Sequence, residues 1–145
     1  ESEWRERALR LQAEMATFRR RQQRIAQDEA RAEQVALLKD VLVIADNLDR
    51  ALAAAQERSQ GERTDDALTR GVELTRSSLE RTLAKYGLEQ IPAKGELFDP
   101  AWHEAVHVVP ARTLGAEPGT VIEVLEAGYR NRERLFRPAK VVVAQ

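Results

Sequence analysis

The first 60 residues contain neither glycine nor proline, and their large apolar residues return every seven positions. Trp4, Leu11, Phe18 and Ile25 form one series, with Ala8 and Met15 interleaved at spacings of four and three. This is the a/d seam of helices that wind around one another. With no breaker before Gly61, a single helix is expected from about Ser2 to about Glu57, roughly 80 Å long at ~1.5 Å rise per residue. A chain of 145 residues cannot cover such a helix with its own mass. The seam therefore predicts a homodimer paired through Trp4, Leu11, Met15, Phe18 and Ile25.

The seam weakens along the helix, because Gln22, Glu29, Ala32 and Ala36 occupy the next core positions. Polar or small residues there cost stability and can fix register. From Val35 to Leu52 the pattern widens: Leu37, Leu38, Val41, Leu42, Ile44, Ala45, Leu48 and Leu52 are all apolar. A stripe that broad suits a helix covered on more than one side, and it adds Leu38, Leu42 and Leu48 to the expected dimer contact. The polar stretch from Gln56 to Thr64 ends this segment. Thr64 or Asp65 is expected to cap a second helix, with Asp65 and Asp66 at its positive end. Leu68, Val72, Leu79, Leu83 and Tyr86 mark one face of that helix, and Gly87 stands where a left-handed C-terminal cap belongs. Two such helices per chain form a hairpin, and two hairpins form a four-helix bundle.

Beyond Gly87 the character changes. All five prolines and five of the seven glycines fall in residues 87–145. Val106–Val109, Thr120–Leu125 and Lys140–Val143 are rich in β-branched residues and predict short strands. The expected fold class is α+β, in three parts: residues 1–34 a paired coiled-coil helix, residues 35–87 a helical hairpin forming a dimeric bundle, and residues 88–145 a compact all-β domain.

Other features bound the function. The chain has no cysteine, so it has neither a disulfide framework nor thiol chemistry. No apolar run approaches the ~20 residues that span a bilayer, and the composition suits an intracellular protein. No signal peptide is visible; the chain starts at Glu1 rather than Met, which suggests that an upstream segment has been removed or left out. The net charge of −1 argues against general nucleic-acid binding. Nineteen arginines against four lysines read as genome composition or heat adaptation.

His103-Glu104-Ala105-Val106-His107 matches the zinc-peptidase pattern HExxH. That chemistry needs both histidines on one face of a long helix, together with a third ligand. Pro100 and Pro110 leave room for about two turns, there is no third histidine, and Val106-His107-Val108-Val109 favours a strand. The expectation is a His103 bonded in a turn, a His107 on a strand, Phe98, Asp99 and Pro100 ordering that turn, and no metal or cofactor. Arg19, Arg20, Arg21 and Arg24 are either a solvated flank of the seam, a patch for an acidic protein surface, or an RNA-binding arm that lacks interleaved aromatics. Gly71 interrupts a helix either harmlessly or where another backbone comes close. Arg130, Arg132, Arg134 and Arg137 alternate along one strand or turn, where period two would give them a common face.

Five blocks in order carry a resemblance: EMATFRRR (14–21), DNLDRAL (46–52), GVELTRSSL (71–79), LFDPAWHEAV (97–106) and GYRNRERLFRPAKVVVA (128–144). Together they resemble GrpE, the nucleotide exchange factor family of DnaK-type heat-shock chaperones, over nearly the whole chain. Trp102 and Phe136 depart from the family pattern, and the family's disordered N-terminal tail is missing. The resemblance implies a parallel homodimer with a bundle and two β-wings. One wing and the adjoining helix surface would grip a DnaK ATPase domain and open its nucleotide cleft. It implies chaperone contacts at Arg19, Arg50, Gly71, Phe98, Asp99, Pro100, Arg134 and Arg137, no enzymatic activity, and a bacterial cytoplasm ahead of a mitochondrial matrix. The alternative is a structural coiled-coil adaptor without exchange activity.

The weak seam carries a prediction. A poorly packed helix pair depends strongly on temperature, so calorimetry should show two transitions. Replacing Gln22 and Glu29 with leucine should raise one of them; a single unaffected transition would refute separate melting of the seam.

Overall fold

The structure, a computed structural model, describes residues 1–59 and 66–145, with side chains for all of these except 113 and 114. It contains two compact units, Glu1–Ile44 and Ala45–Gln145.

Helix α1 (Ser2–Arg58) is unbroken, as expected from a stretch without glycine or proline. In the first unit the seam residues stand in solvent: Trp4 is 73% exposed and Phe18 61%, and Leu11, Met15 and Ile25 are exposed as well. Leu38 and Leu42, placed at the dimer contact by their period, are buried in the described chain. The period identifies an inward face without saying what covers it. Leu37 and Ile44 remain exposed, and Leu48, in the second unit, is half-buried.

In the second unit, α2 (Ala67–Lys85) is capped by Asp66, whose carboxylate accepts the Thr69 N–H at 2.6 Å. Thr64 and Asp65, the expected caps, lie outside the described residues. Bonds from Thr69, side chain first and backbone second, hold the Asp66 carboxyl below its ordinary range. Leu83 is buried, and Val72 and Leu79 are half-buried on the same face. Leu68 and Tyr86, expected on that face, are exposed. Gly87 follows at φ +86°, the left-handed geometry that favours glycine, and its N–H bonds the Ala84 carbonyl.

The β domain holds two three-stranded sheets. The first, in order β1-β4-β5, joins Leu88–Gln90, Tyr129–Asn131 and Arg134–Arg137, all antiparallel. The second, in order β2-β6-β3, joins His103–Val109, Ala139–Ala144 and Val121–Glu126. A four-residue helix, α3 (Ala111–Leu114), follows β2. Strand β6 is central, parallel to β2 and antiparallel to β3. Its residues Val141, Val142, Val143 and Ala144 are all buried, so it is covered on both faces, which explains why AKVVVA does not alternate. Val121, Val141, Val143, Ala93 and Ala139 form the core cluster, with Phe98 and Val124 packed on it.

The arginine series departs from a single strand. Arg130 lies on β4, Arg132 in the hairpin turn at φ 58°, and Arg134 and Arg137 on β5. The turn breaks the period, so they share no common face.

Two glycines separate two kinds of constraint. A Cβ on Gly128 would stand 2.3 Å from the backbone nitrogen of Ala139. A Cβ on Gly71 would meet nothing within 4 Å. Gly128→Ala should therefore lower stability by about 2–4 kcal/mol through overpacking. Gly71→Ala should raise it by up to about 1 kcal/mol through helix propensity. Urea titration followed by circular dichroism checks both.

Candidate functional site: the helix and β-sheet junction

Asp46 and Asp49 lie three residues apart near the end of α1, so they share a helix face. Each takes one arginine. Arg137, the last residue of β5, forms a two-pronged pair with Asp46: Nη2 to Oδ1 at 2.7 Å and Nη1 to Oδ2 at 2.8 Å. Its Nε and Nη2 also donate to the Ala127 carbonyl, at 2.9 and 2.7 Å. The guanidinium lies 5.5 Å from the centre of the Tyr129 ring, and Glu126 stands 3.7 Å from Nη1. Burial pushes the Arg137 proton affinity down, but the Asp46 bond, then the charges of Asp46 and Glu126, more than reverse this. The cation is therefore held firmly charged.

Arg76 makes the second connection. It sits on α2 between Val72 and Leu79, where the helical period calls for an apolar residue, and is only 8% exposed. Nε donates to Asp49 at 2.7 Å, and Nη2 donates to the Tyr129 hydroxyl at 2.8 Å and to Gln90 at 3.3 Å. One side chain thus ties α2 to α1, β4 and β1. Desolvation opposes its charge, yet the Asp49 hydrogen bond leads the effects that raise its pKa above the ordinary arginine value. Burial raises the Tyr129 phenol above its usual pKa despite the nearby Arg76, so the hydroxyl stays neutral and accepts. Beside these pairs lies a half-open groove of about 510 Å³, lined by Asp46, Asp49, Arg50, Ala53, Gln90 and residues 123–127.

Of the residues singled out from sequence, Arg50 and Arg137 come to this junction. Arg50 is exposed and bonds Asn47 at 2.8 Å. Arg134 is exposed at the start of β5, three residues from Arg137. Gly71 lies on α2. Arg19 is exposed in the first unit.

Phe98, Asp99 and Pro100 open the turn before β2. The Asp99 carboxylate accepts the Ala101 N–H, and its carbonyl accepts the N–H groups of Trp102 and His103. His103 is buried; Nδ1 accepts from Asp99 N–H at 3.0 Å and Nε2 lies 3.2 Å from the Pro92 carbonyl. A ring that accepts at Nδ1 donates at Nε2, so both nitrogens are used inside the fold. His103, Glu104 and His107 all lie on strand β2, which has a register shift after Ala105. This HExxH lies wholly on a strand, and a zinc helix is not formed. Among the described residues there is no group of three or more potential metal ligands, and no helix is long and apolar enough to cross a membrane.

Asp46, Asp49, Arg76 and Tyr129 escaped the sequence reading. Two signals were present: acids inside the apolar run VLVIADNLD, and an arginine in the inner stripe of α2.

The GrpE family model matches residues 1–145. Protein GrpE of Afipia carboxidovorans is 45% identical over 147 residues, covering 99% of this chain and 72% of that protein. Protein GrpE of Rhodopirellula baltica is 38% identical over 138 residues, covering 95% and 68%. Protein GrpE of Agrobacterium fabrum is 38% identical over 143 residues, covering 97% and 67%.

The Arg137–Asp46 pair is testable apart from function. Both side chains are about four-fifths buried. Asp46→Ala strands a buried cation and should cost about 2–3 kcal/mol. The double variant Asp46→Leu with Arg137→Met should recover most of that in urea titrations.

Proposed function

The chain belongs to the GrpE family of DnaK co-chaperones, and from that premise we propose that it is a nucleotide exchange factor. As a homodimer it binds the ATPase domain of a DnaK-type chaperone and promotes ADP release by stabilising the open cleft. It acts by differential affinity: it binds the open, nucleotide-poor conformer better than the closed one. It accelerates exchange only by as much as that difference allows, and nucleotide weakens its binding in return.

One observation carries this proposal: β5 presents an exposed Arg134 while its other end is fixed to α1 by the Arg137–Asp46 pair. An arm that exerts force on a partner needs such a fixed base beneath its contact. Arg134 offers charge-assisted bonds to carboxylates of the ATPase domain. Arg50 and Arg19 extend the contact along α1. Gly71 leaves room for a partner backbone, since no atom of the described chain approaches its Cβ position. Pro100 presents the turn that Phe98 and Asp99 hold in shape. Arg137, already engaged by Asp46 and Ala127, contributes by holding β5.

The dimer follows from Trp4, Leu11, Met15, Phe18 and Ile25, a seven-residue series of large apolar groups in solvent. Farther along α1, Leu37 and Ile44 supply the exposed apolar surface, and Leu48 the half-buried edge.

Losing one such arginine contact should cost ~2–4 kcal/mol, or roughly 30- to 1000-fold in affinity. Arg134→Ala should keep the fold by circular dichroism and slow the release of a fluorescent ADP analogue from DnaK in stopped flow. A well-folded variant that stimulates release as fast as wild type removes Arg134 from the contact. A wild type that stimulates no release refutes exchange and leaves a structural adaptor.

A further inference from the structure

We infer that Arg76, with Asp49 and Tyr129, positions the β domain for exchange by preventing it from swivelling on the helices. This inference rests on the exchange-factor proposal above.

A single ion pair between a helix and a sheet is a pivot. The Arg137–Asp46 pair alone would fix one point of β5 and leave rotation about that point open. The Arg76 group adds a second point, on the neighbouring strands β4 and β1 of the same sheet. Its anchor on α1, Asp49, is one helical turn from Asp46. Two attachments on adjacent strands, made to adjacent turns of one helix, remove the rotation that either alone permits. The planar guanidinium suits this task, because its N–H groups point in fixed directions.

Stability alone is a poor reason for this arginine. A buried ion pair is often no better than apolar residues of the same volume. Here the arrangement carries a further cost: Nη1 of Arg76 is buried with no hydrogen-bond partner. An apolar residue at 76 would continue the stripe of Val72, Leu79 and Leu83 without that cost. What it would not supply is direction among α1, α2, β1 and β4. A lever with a loose joint still binds its load but transmits less of the motion.

The test uses the whole chain carrying Arg76→Met and Tyr129→Phe together, which removes the cation and the hydroxyl it satisfies. Asp49 is partly exposed and returns to water. The expected result is wild-type circular dichroism, an affinity for DnaK within about threefold of wild type, and a maximal ADP release rate at saturating factor reduced by about tenfold or more. Such a split between binding and maximal rate is not the mark of lost stability or a lost contact.

A second measurement needs no chaperone. The chain has no native cysteine, so spin labels at Arg81→Cys on α2 and Lys94→Cys on the β domain report their separation. The distance distribution should broaden in the double variant and narrow again where Arg76 is restored. An unchanged distribution, or an unchanged maximal release rate, overturns the inference. So does a loss confined to affinity, which would make Arg76 part of the binding surface. If the double variant fails to fold, Arg76→Lys is measured in its place: it keeps the charge without the fork, and an unchanged distance distribution would overturn the inference. If wild type fails to stimulate release while the distribution still broadens, the joint stands and the exchange proposal falls.

Discussion

The Arg137–Asp46 pair is the interaction on which the second unit depends. It joins residues 91 positions apart in sequence, and it does so at the junction of elements with different internal logic. Helix α1 satisfies its own backbone, and the sheets satisfy theirs. Neither has a backbone reason to stay with the other. A largely buried cation with five donors changes that, because leaving it unpaired costs more than holding it in place. The two bonds to Asp46, the two to the Ala127 carbonyl and the Tyr129 ring beneath leave this arginine few alternatives.

Most of the scaffold was legible because it follows from period and punctuation. The absence of glycine and proline before Gly61 dictated α1, and Gly87 marked the end of α2. The valine-rich runs located β2, β3 and β6. The three-residue β1 and the strands β4 and β5 were not resolved as separate elements. Their residues are short, polar and arginine-rich, so local propensity is weak and tertiary pairing decides. The αL geometry at Arg132, which folds GYRNRERLFR into a hairpin, was hidden for the same reason: an arginine does not advertise a positive φ.

The site was half legible. His103 was understood correctly from its flanking prolines and valines, since those exclude a zinc helix without any knowledge of the partners. Arg137 stood out through the alternating arginine series and its motif. Its mate was invisible, because nothing local links position 46 to position 137. Arg76 is concealed because an apolar period carries no sign of a polar residue within its stripe. The gap between Val72 and Leu79 held an arginine, and a polar residue in an inner position usually has a partner within the fold. Leu38 and Leu42 show the limit of a period: it marks an inward face, and both are buried in the described chain.

The placement of β6 has a consequence for how the chain is made. It follows both β2 and β3 in sequence yet is the middle strand of their sheet, bridging two strands that do not pair with each other. Until Ala139–Ala144 has left the ribosome, neither neighbour has a strand to bond, and the valine-lined core has no floor. Helix α1, built from local bonds, can form as it emerges; the second sheet waits for β6. A ribosome that stalls before residue 139 would release a protein with its long helix intact and two orphaned, valine-rich strand edges, a species suited to capture by chaperones.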